Sequence, residues 1–170
     1  GHSENISGQI VNALPSQLLL DDPWSSLREY AKESLEVTLE TRVLPVDEAG
    51  SLEIANAVQE GENWDAILHL GLCESCEKPR IETLAQDLLQ MRIPDNSGRQ
   101  ITQQSITGLG NLPVTVLAEA WMSMPWSVEC ELSQDAGTYL CNETLYRTLH
   151  ALNVISSDDK AIPPCLFVHL

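Results

Sequence analysis

Apolar residues recur along this chain with two different spacings, and segments of the two kinds alternate. Apolar residues at every third or fourth position predict helices, because this spacing places them on one helical face. Such segments cover residues 6–14, 23–34, 47–61, 112–123 and 142–153. Segments that alternate apolar and polar residues, or that are apolar throughout, predict strands. They cover residues 35–46, 66–70, 126–132 and 166–169.

Strands that alternate with helices predict a mainly parallel, twisted sheet with helices on both faces, a three-layer α/β/α sandwich. We expect a single domain over residues 1–170. Segment 66–70 is apolar apart from one histidine and is expected to be a fully buried strand. Segment 81–89 fits either a short helix or an extended segment. Residues 94–111 are rich in Pro, Gly, Asn and Ser and are expected to form a long, functional loop.

The composition limits the classes of partner. The 170 residues are 43% apolar and carry a net charge of −16, from 25 acidic and 9 basic side chains. This charge repels phosphate backbones and anionic lipids, so we expect neither nucleic acid nor a membrane as a partner. No apolar run is long enough to span a bilayer, which favours one soluble domain. Five cysteines without framework spacing, and the lack of a leader-like start, favour the reducing cytoplasm.

Cys141 is the candidate nucleophile. A turn with several small residues, S-Q-D-A-G-T at 133–138, precedes it, and a helix with Leu145, Leu149 and Leu152 on one face follows it. Unpaired N–H groups and the positive end of the helix dipole would stabilise a thiolate at this position. A thiolate is the form of cysteine that attacks a carbonyl carbon. The alternative is a buried, inert cysteine, which is the commoner environment for a free thiol.

The pair Cys73 and Cys76 would suit a metal or a redox site. A structural zinc site needs two more ligands at comparable spacing, and the other three cysteines are single and scattered. The acidic residues beside the pair would also disfavour reactive thiolates. We therefore predict no metal and no cofactor. His69, within an apolar strand, is predicted to be a core histidine with its hydrogen bonds satisfied.

Four segments carry motifs in order along the chain. They read A-I-L-H-L-G-L at 66–72, R-I-P-D-N-S-G at 92–98, S-Q-D-A-G-T-Y-L-C-N at 133–142 and L-F-V-H at 166–169. Together, at these separations, they resemble the pyroglutamyl peptidase I family, the cysteine peptidases that remove an N-terminal 5-oxoproline residue. The resemblance runs from about residue 43 to the end, and more weakly before it.

The resemblance implies a triad of Cys141, His169 and Glu82. His169 would exchange a proton with Cys141 and the leaving amine, and Glu82 would orient the imidazole. Further contacts to the oxyanion or the substrate are implied for Arg92, Ile93, Leu72, Tyr139 and Leu140. The implied substrate is a peptide blocked at its N-terminus by a pyroglutamyl residue. Self-association into a homo-oligomer is expected because it is common in the family.

The chain departs from the family pattern in two places. It has no G-F-x-P-F-G-G turn, whose aromatic residues sandwich the oxoproline ring, so we expect the first strand and this turn to be missing from the N-terminus of the domain. The loop after residue 72 reads C-E-S-C-E-K-P-R instead of beginning A-G-G-R. These departures leave a second interpretation open, a non-catalytic or altered-specificity member of the fold that binds a peptide or acts as a scaffold.

Overall fold

The computed structural model of the chain describes residues 5–21, 34–123, 126–156 and 162–170. Its contacts divide the chain into two compact units, Gly1–Val43 and Leu44–Leu170. None of the helices in these described ranges is both long enough and apolar enough to cross a lipid bilayer.

The described part of the first unit contains one helix and a two-stranded ribbon. Helix α1 covers Ile6–Ala13, which confirms the helix predicted at 6–14, and strands β1 (Gln17–Asp21) and β2 (Ser34–Thr38) pair antiparallel. The strand predicted at 35–46 is shorter than expected, because β2 ends where its five-residue partner ends. The spacing pattern misses β1, since its three consecutive leucines do not alternate with polar residues. The helix predicted at 23–34 lies outside the described residues, except that Ser34 begins β2.

The second unit alternates strands and helices. Its elements in chain order are α2 (Glu48–Gln59), β3 (Ile67–Gly71), β4 (Arg80–Glu82), β5 (Leu84–Ala85), β6 (Leu112–Pro113), α3 (Ala118–Met122), β7 (Glu131–Ser133), α4 (Leu140–Ile155) and β8 (Cys165–His169). Asp47 caps α2 by accepting a hydrogen bond of 3.0 Å from the Gly50 backbone N–H. Gly61, at a φ of 98°, follows the end of the same helix, where a left-handed residue is common.

Within the described residues, four strands form the main sheet in the order β3-β8-β4-β7. Strand β8 pairs parallel with β3, and β7 pairs parallel with β4. Strands β4 and β8 pair antiparallel, so the two parallel pairs run in opposite directions. The prediction of a mainly parallel sheet is confirmed, with one antiparallel pairing at its centre.

Strand β8 shows that helices cover both faces of this sheet. Side chains alternate between the faces of a strand. Cys165 and Phe167 join the core cluster that contains residues of α2 and α4, whereas Leu166 joins the cluster that contains Ala118 of α3 and has Val168 packed against it. The three-layer α/β/α arrangement is therefore present in the second unit.

Several predicted elements differ from the structure. Segment 66–70 is not fully buried, because β3 is an edge strand and Leu68 is 56% exposed. The helix predicted at 112–123 is instead β6 followed by the short α3, since Pro113 and the β-branched run after it disfavour a helix. The strand predicted at 126–132 is reduced to β7, which is as long as its three-residue partner β4. Of the two interpretations left open for segment 81–89, the structure shows the extended one.

Candidate active site

His169, Glu82 and Cys141 meet on the face of the sheet that α4 covers. Strand β8 ends at His169. Phe167, two residues earlier and on the same face of β8, pairs with Glu82 of β4 in the antiparallel register. The two side chains therefore lie diagonally on one face, and His169 Nδ1 is 2.8 Å from Glu82 Oε1. The thiol of Cys141, in the first turn of α4, lies close enough to His169 to raise its pKa.

Both partners shift the protonation of His169. Burial alone would lower its pKa, but the hydrogen bonds to Cys141 and Glu82 outweigh burial and raise the pKa from 6.5 to about 9. The imidazole therefore carries a proton at neutral pH. Glu82 is fully buried, and its Oε2 atom has no hydrogen-bond partner within the described residues. The imidazole is thus the group to which the side chain of Glu82 is hydrogen-bonded here.

The turn before Cys141 is tied to the segment that follows Glu82. The backbone N–H of Gln90 donates to the Thr138 carbonyl at 3.0 Å, and the Thr138 hydroxyl donates back to the Gln90 carbonyl at 2.9 Å. Asn142, fully buried, accepts a hydrogen bond of 2.8 Å from the Gln86 N–H and donates to the carbonyls of Gln86 and Leu88. These bonds hold the start of α4 beside β4 and β5.

Helix α4 begins with backbone donors that its N-cap side chain does not satisfy. Tyr139 occupies the N-cap position and, in the described structure, makes no side-chain hydrogen bond to the first turn. Instead its hydroxyl donates to the Pro94 carbonyl at 3.2 Å. The first N–H groups of a helix lack partners within the helix and attract negative charge. The N-terminus of α4 can therefore stabilise an anion formed next to Cys141.

The remaining residues implied by the resemblance lie around this centre. Leu140 is buried at the start of α4, and Leu72 is half-buried just beyond β3. Arg92 and Ile93 are exposed on the loop that Tyr139 contacts at Pro94. Their contacts with a substrate stay predictions.

The family model described as pyroglutamyl peptidase matches residues 24–165, which is most of the chain. The chain belongs to the pyroglutamyl peptidase family.

Two relatives show how far the sequence of this chain differs from those of other pyroglutamyl peptidase family members. Pyrrolidone-carboxylate peptidase 1 of Photorhabdus laumondii is 28% identical over 140 residues, covering 78% of this chain and 63% of the relative. The pyrrolidone-carboxylate peptidase of Brevibacillus brevis is 28% identical over 159 residues, covering 89% of this chain and 71% of the relative. The chain thus spans less than two thirds of the first relative, and 51% of a matching Thermococcus litoralis protein.

A solved structure supports the fold of this pyroglutamyl peptidase family member. The crystal structure of pyrrolidone carboxyl peptidase from Thermus thermophilus aligns with a TM-score of 0.74 and 29% identity, over 100% of this chain and 79% of that chain.

Cys73 and Cys76 are joined by a disulfide in this pyroglutamyl peptidase family member, with their Cα atoms 5.4 Å apart. That separation lies within the usual range for a disulfide. The pair is therefore neither a metal ligand set nor a pair of free thiols here, which differs from the expectation that all five cysteines are reduced. The turn is next to the site, because the Cys73 N–H donates to the carbonyl of Leu170, the residue after His169.

His69 is buried as predicted. Its Nε2 atom is 3.2 Å from the Thr148 hydroxyl, and its ring stacks on Phe167 with centroids 6.0 Å apart. Burial lowers its pKa from 6.5 to about 4, so the ring is neutral at physiological pH.

The spacing of apolar residues gave no indication of a pair of charged residues near the site. Arg99 and Glu143 form a buried ion pair 44 residues apart in sequence. Glu143 lies in the first turn of α4, but the burial that distinguishes it is visible only in the structure. A carboxylate at a helix start is usually interpreted as a solvated partner of the helix dipole.

Proposed function

We propose that this chain is a cysteine peptidase that hydrolyses the amide after an N-terminal pyroglutamyl residue, with Cys141 as nucleophile, His169 as acid and base, and Glu82 as the group that orients the imidazole. The observation that carries the proposal is the position of His169, which lies next to the Cys141 thiol and 2.8 Å from a buried carboxylate. Membership of the pyroglutamyl peptidase family supports the choice of substrate.

In the first chemical step, the sulfur of Cys141 attacks the carbonyl carbon of the scissile amide, which links the pyroglutamyl residue to the rest of the peptide. Cys141 attacks as the thiolate, the nucleophilic form of cysteine, with the protonated imidazole of His169 beside it. The sulfur–carbon bond forms, and the carbonyl oxygen becomes an oxyanion that accepts hydrogen bonds from N–H groups at the start of α4. Arg92 is assigned as an additional donor, because the exposed loop that carries it is tied to Tyr139.

Collapse of the tetrahedral intermediate breaks the amide bond. His169 Nδ1 is engaged by Glu82, which leaves Nε2 to give its proton to the departing amine. Water then attacks the remaining thioester and gives a proton to His169. The sulfur–carbon bond breaks, which releases free pyroglutamate and restores the Cys141 thiolate. Glu82 Oε1, 2.8 Å from Nδ1, orients the imidazole throughout and stabilises the imidazolium whenever His169 holds the proton.

The proposal extends to the surroundings of the enzyme. Its partner is an N-terminally blocked peptide, and the cytoplasm is the assigned location, where a nucleophilic thiol stays reduced. Cys141 is a free thiol in the structure, as are Cys130 and Cys165. Self-association rests on the resemblance alone, and the single domain stays a prediction from length and composition.

The test is release of aminomethylcoumarin from its pyroglutamyl amide. We expect the chain to release the fluorophore, and Cys141→Ala to reduce the rate to background. Cys130→Ala is the matched control, because Cys130 is also free and half-buried but is not bonded to His169 in the structure. The prolyl amide, which lacks the lactam carbonyl, controls for specificity. Absence of release by the parent chain, or equal rates for the two cysteine variants, would refute the proposal.

A further inference from the structure

Arg99 lies among three carboxylates close to the site, with a side chain that is 15% exposed. Its Nε atom donates to Asp95 at 3.0 Å, and its Nη2 atom donates to Glu143 at 2.5 Å. Its Nη1 atom is shared between Glu143 at 3.1 Å and Glu48 at 3.0 Å. The guanidinium fork therefore joins one loop and two helices, α2 and α4.

On the loop side, Asp95 organises the segment R-I-P-D-N-S-G. One oxygen of Asp95 accepts hydrogen bonds from the Ser97 N–H, the Ser97 hydroxyl and the Arg99 N–H, and the other accepts from the Arg99 side chain. Burial opposes the charge of Asp95, but these bonds lower its pKa to about 2. The carboxylate is thus permanently charged and holds the turn that carries Arg92 and Ile93.

On the helix side, Glu143 lies two residues after Cys141 and has no solvent exposure. Burial would raise its pKa, but hydrogen bonds from Arg99 and Arg147 outweigh burial and lower it. A buried carboxylate needs such partners, because a charge left unpaired away from water strongly destabilises the folded state. The first turn of α4 is therefore connected to the loop through an ion pair whose carboxylate is fully buried and whose guanidinium is largely buried.

We propose that Arg99 is a positioning residue, which sets the distance between the loop at 92–98 and Cys141. This inference rests on the proposed function, because it assumes that the loop contacts the substrate whose carbonyl Cys141 attacks. Misplacement of a reacting group by about 1 Å costs on the order of 100-fold in rate. Arg99 touches neither Cys141 nor His169 in the structure, so its effect passes through Asp95 and Glu143.

Arg147 provides a matched control on the same carboxylate. It donates to Glu143 from Nε at 2.9 Å and from Nη2 at 2.7 Å, and its side chain is 24% exposed. It lies on α4 itself and has no hydrogen bond to Asp95 among the described residues. Replacing either arginine removes one charged partner of Glu143, but only the replacement of Arg99 releases the loop.

The experiment compares Arg99→Met with Arg147→Met in the full chain. We expect Arg99→Met to lower kcat/KM for a pyroglutamyl amide by roughly 10- to 100-fold, mostly through a higher KM, and to speed hydrogen exchange of amides in 92–98. Arg147→Met should leave both quantities within about threefold of the parent chain. Alkylation of Cys141 by iodoacetamide should change less than about threefold in both variants, because the contacts of the triad are intact.

Equal losses in the two variants would overturn the proposal, as would unchanged hydrogen exchange at 92–98 in Arg99→Met. If Arg99→Met does not fold, Arg99→Lys replaces it. Its KM should be higher than the KM of the parent chain and of Arg147→Met, but less than about 100-fold higher, since lysine keeps the charge without the fork. If the parent chain does not cleave the amide, the proposed function fails. Hydrogen exchange at 92–98 then still decides whether Arg99 fixes the loop.

Discussion

His69 and His169 lie on adjacent paired strands, β3 and β8, yet their pKa values shift in opposite directions. Burial without a charged partner lowers the pKa of His69 to about 4. Burial opposes the charge of His169 as well, but Cys141 and Glu82 raise its pKa to about 9. Phe167 separates the two rings, stacking on His69 and lying 4.8 Å from His169 between centroids. Histidine thus occurs once as a neutral side chain in the core and once as a charged side chain in the site.

The pH dependence of activity follows from the raised pKa of His169. The folded state binds this proton more tightly than the unfolded state, so its stabilisation is complete below pH 6.5 and is lost as the pH rises through about 9. We expect kcat/KM for a pyroglutamyl amide to decline through the same alkaline range, because a neutral imidazole has no proton for the leaving amine. A profile recorded from pH 6 to 10 measures this decline.

Glu82→Gln tests the cause of that shift. The amide removes the negative charge beside Nδ1, so the alkaline decline should move to lower pH and kcat should fall by roughly 10²- to 10⁴-fold. Glu129→Gln is the control, because Glu129 pairs with Lys78 at an exposed position. A decline at the same pH in Glu82→Gln and the parent chain would show that Glu82 does not set the protonation of His169.

Among the elements, β3, β8 and α4 meet at Gly71, the last residue of β3. Gly71 pairs with His169, and a Cβ placed on Gly71 would lie 2.6 Å from the Phe167 ring and 3.2 Å from Cys141 Sγ. Its lack of a side chain therefore lets α4 approach the end of the sheet. The close packing of three elements, rather than backbone conformation, requires glycine at this position.

Gly71→Ala should impair both stability and catalysis. Phe167 is 3% exposed and has little room to move, so the added methyl group should cost about 1–3 kcal/mol of unfolding free energy. Displacement of Cys141 should also slow its alkylation by iodoacetamide and the cleavage of a pyroglutamyl amide. Urea unfolding and the two rate measurements provide the readouts.

Gly8→Ala is the control for this substitution. Gly8 lies within α1, and a Cβ there meets no atom within 4 Å among the described residues. Alanine favours a helix over glycine by about 1 kcal/mol, so this variant should be unchanged or slightly more stable. Parent-like alkylation in Gly71→Ala would mean that the thiol has more freedom than the packing indicates.

For the whole molecule, the net charge of −16 sets a long-range repulsion that individual ion pairs do not remove. Salt screens interactions between exposed charges beyond about 10 Å at 0.1 M, whereas buried pairs such as Arg99 and Glu143 are screened much less. Added salt should therefore stabilise the fold as a whole, while the ion pair near the site persists.

The expected result is a rise in the thermal midpoint of unfolding by roughly 2–4 °C between 10 and 150 mM sodium chloride, equivalent to about 1 kcal/mol. Differential scanning calorimetry at pH 7.5 measures it. Glucose at matched osmolarity controls for effects that are not ionic. A midpoint that falls with salt would mean that attractive surface pairs outweigh the repulsion.

The sequence by itself determined the features that depend on local spacing and on short motifs. Helices α2 and α4, strand β8, the mainly parallel sheet and the family all follow from it, because apolar periodicity and motif order are properties of neighbouring residues. Predictions from the sequence were wrong where the length or the burial of an element depends on a distant partner. The length of β7 is limited by its partner β4, and Leu68 is exposed because β3 lies at the edge of the sheet.

Only the tertiary structure decided how the site is assembled. The resemblance named Glu82 and His169, but their contact joins residues 87 positions apart and depends on an antiparallel pairing of β4 with β8 that the sequence pattern does not indicate. The pair of Arg99 and Glu143 likewise has no local signature. Strand order and register bring Glu82 to His169, and the packing of a loop on helix α4 brings Arg99 to Glu143. Burial then makes these pairings obligatory, since a buried charge without a partner is strongly destabilising.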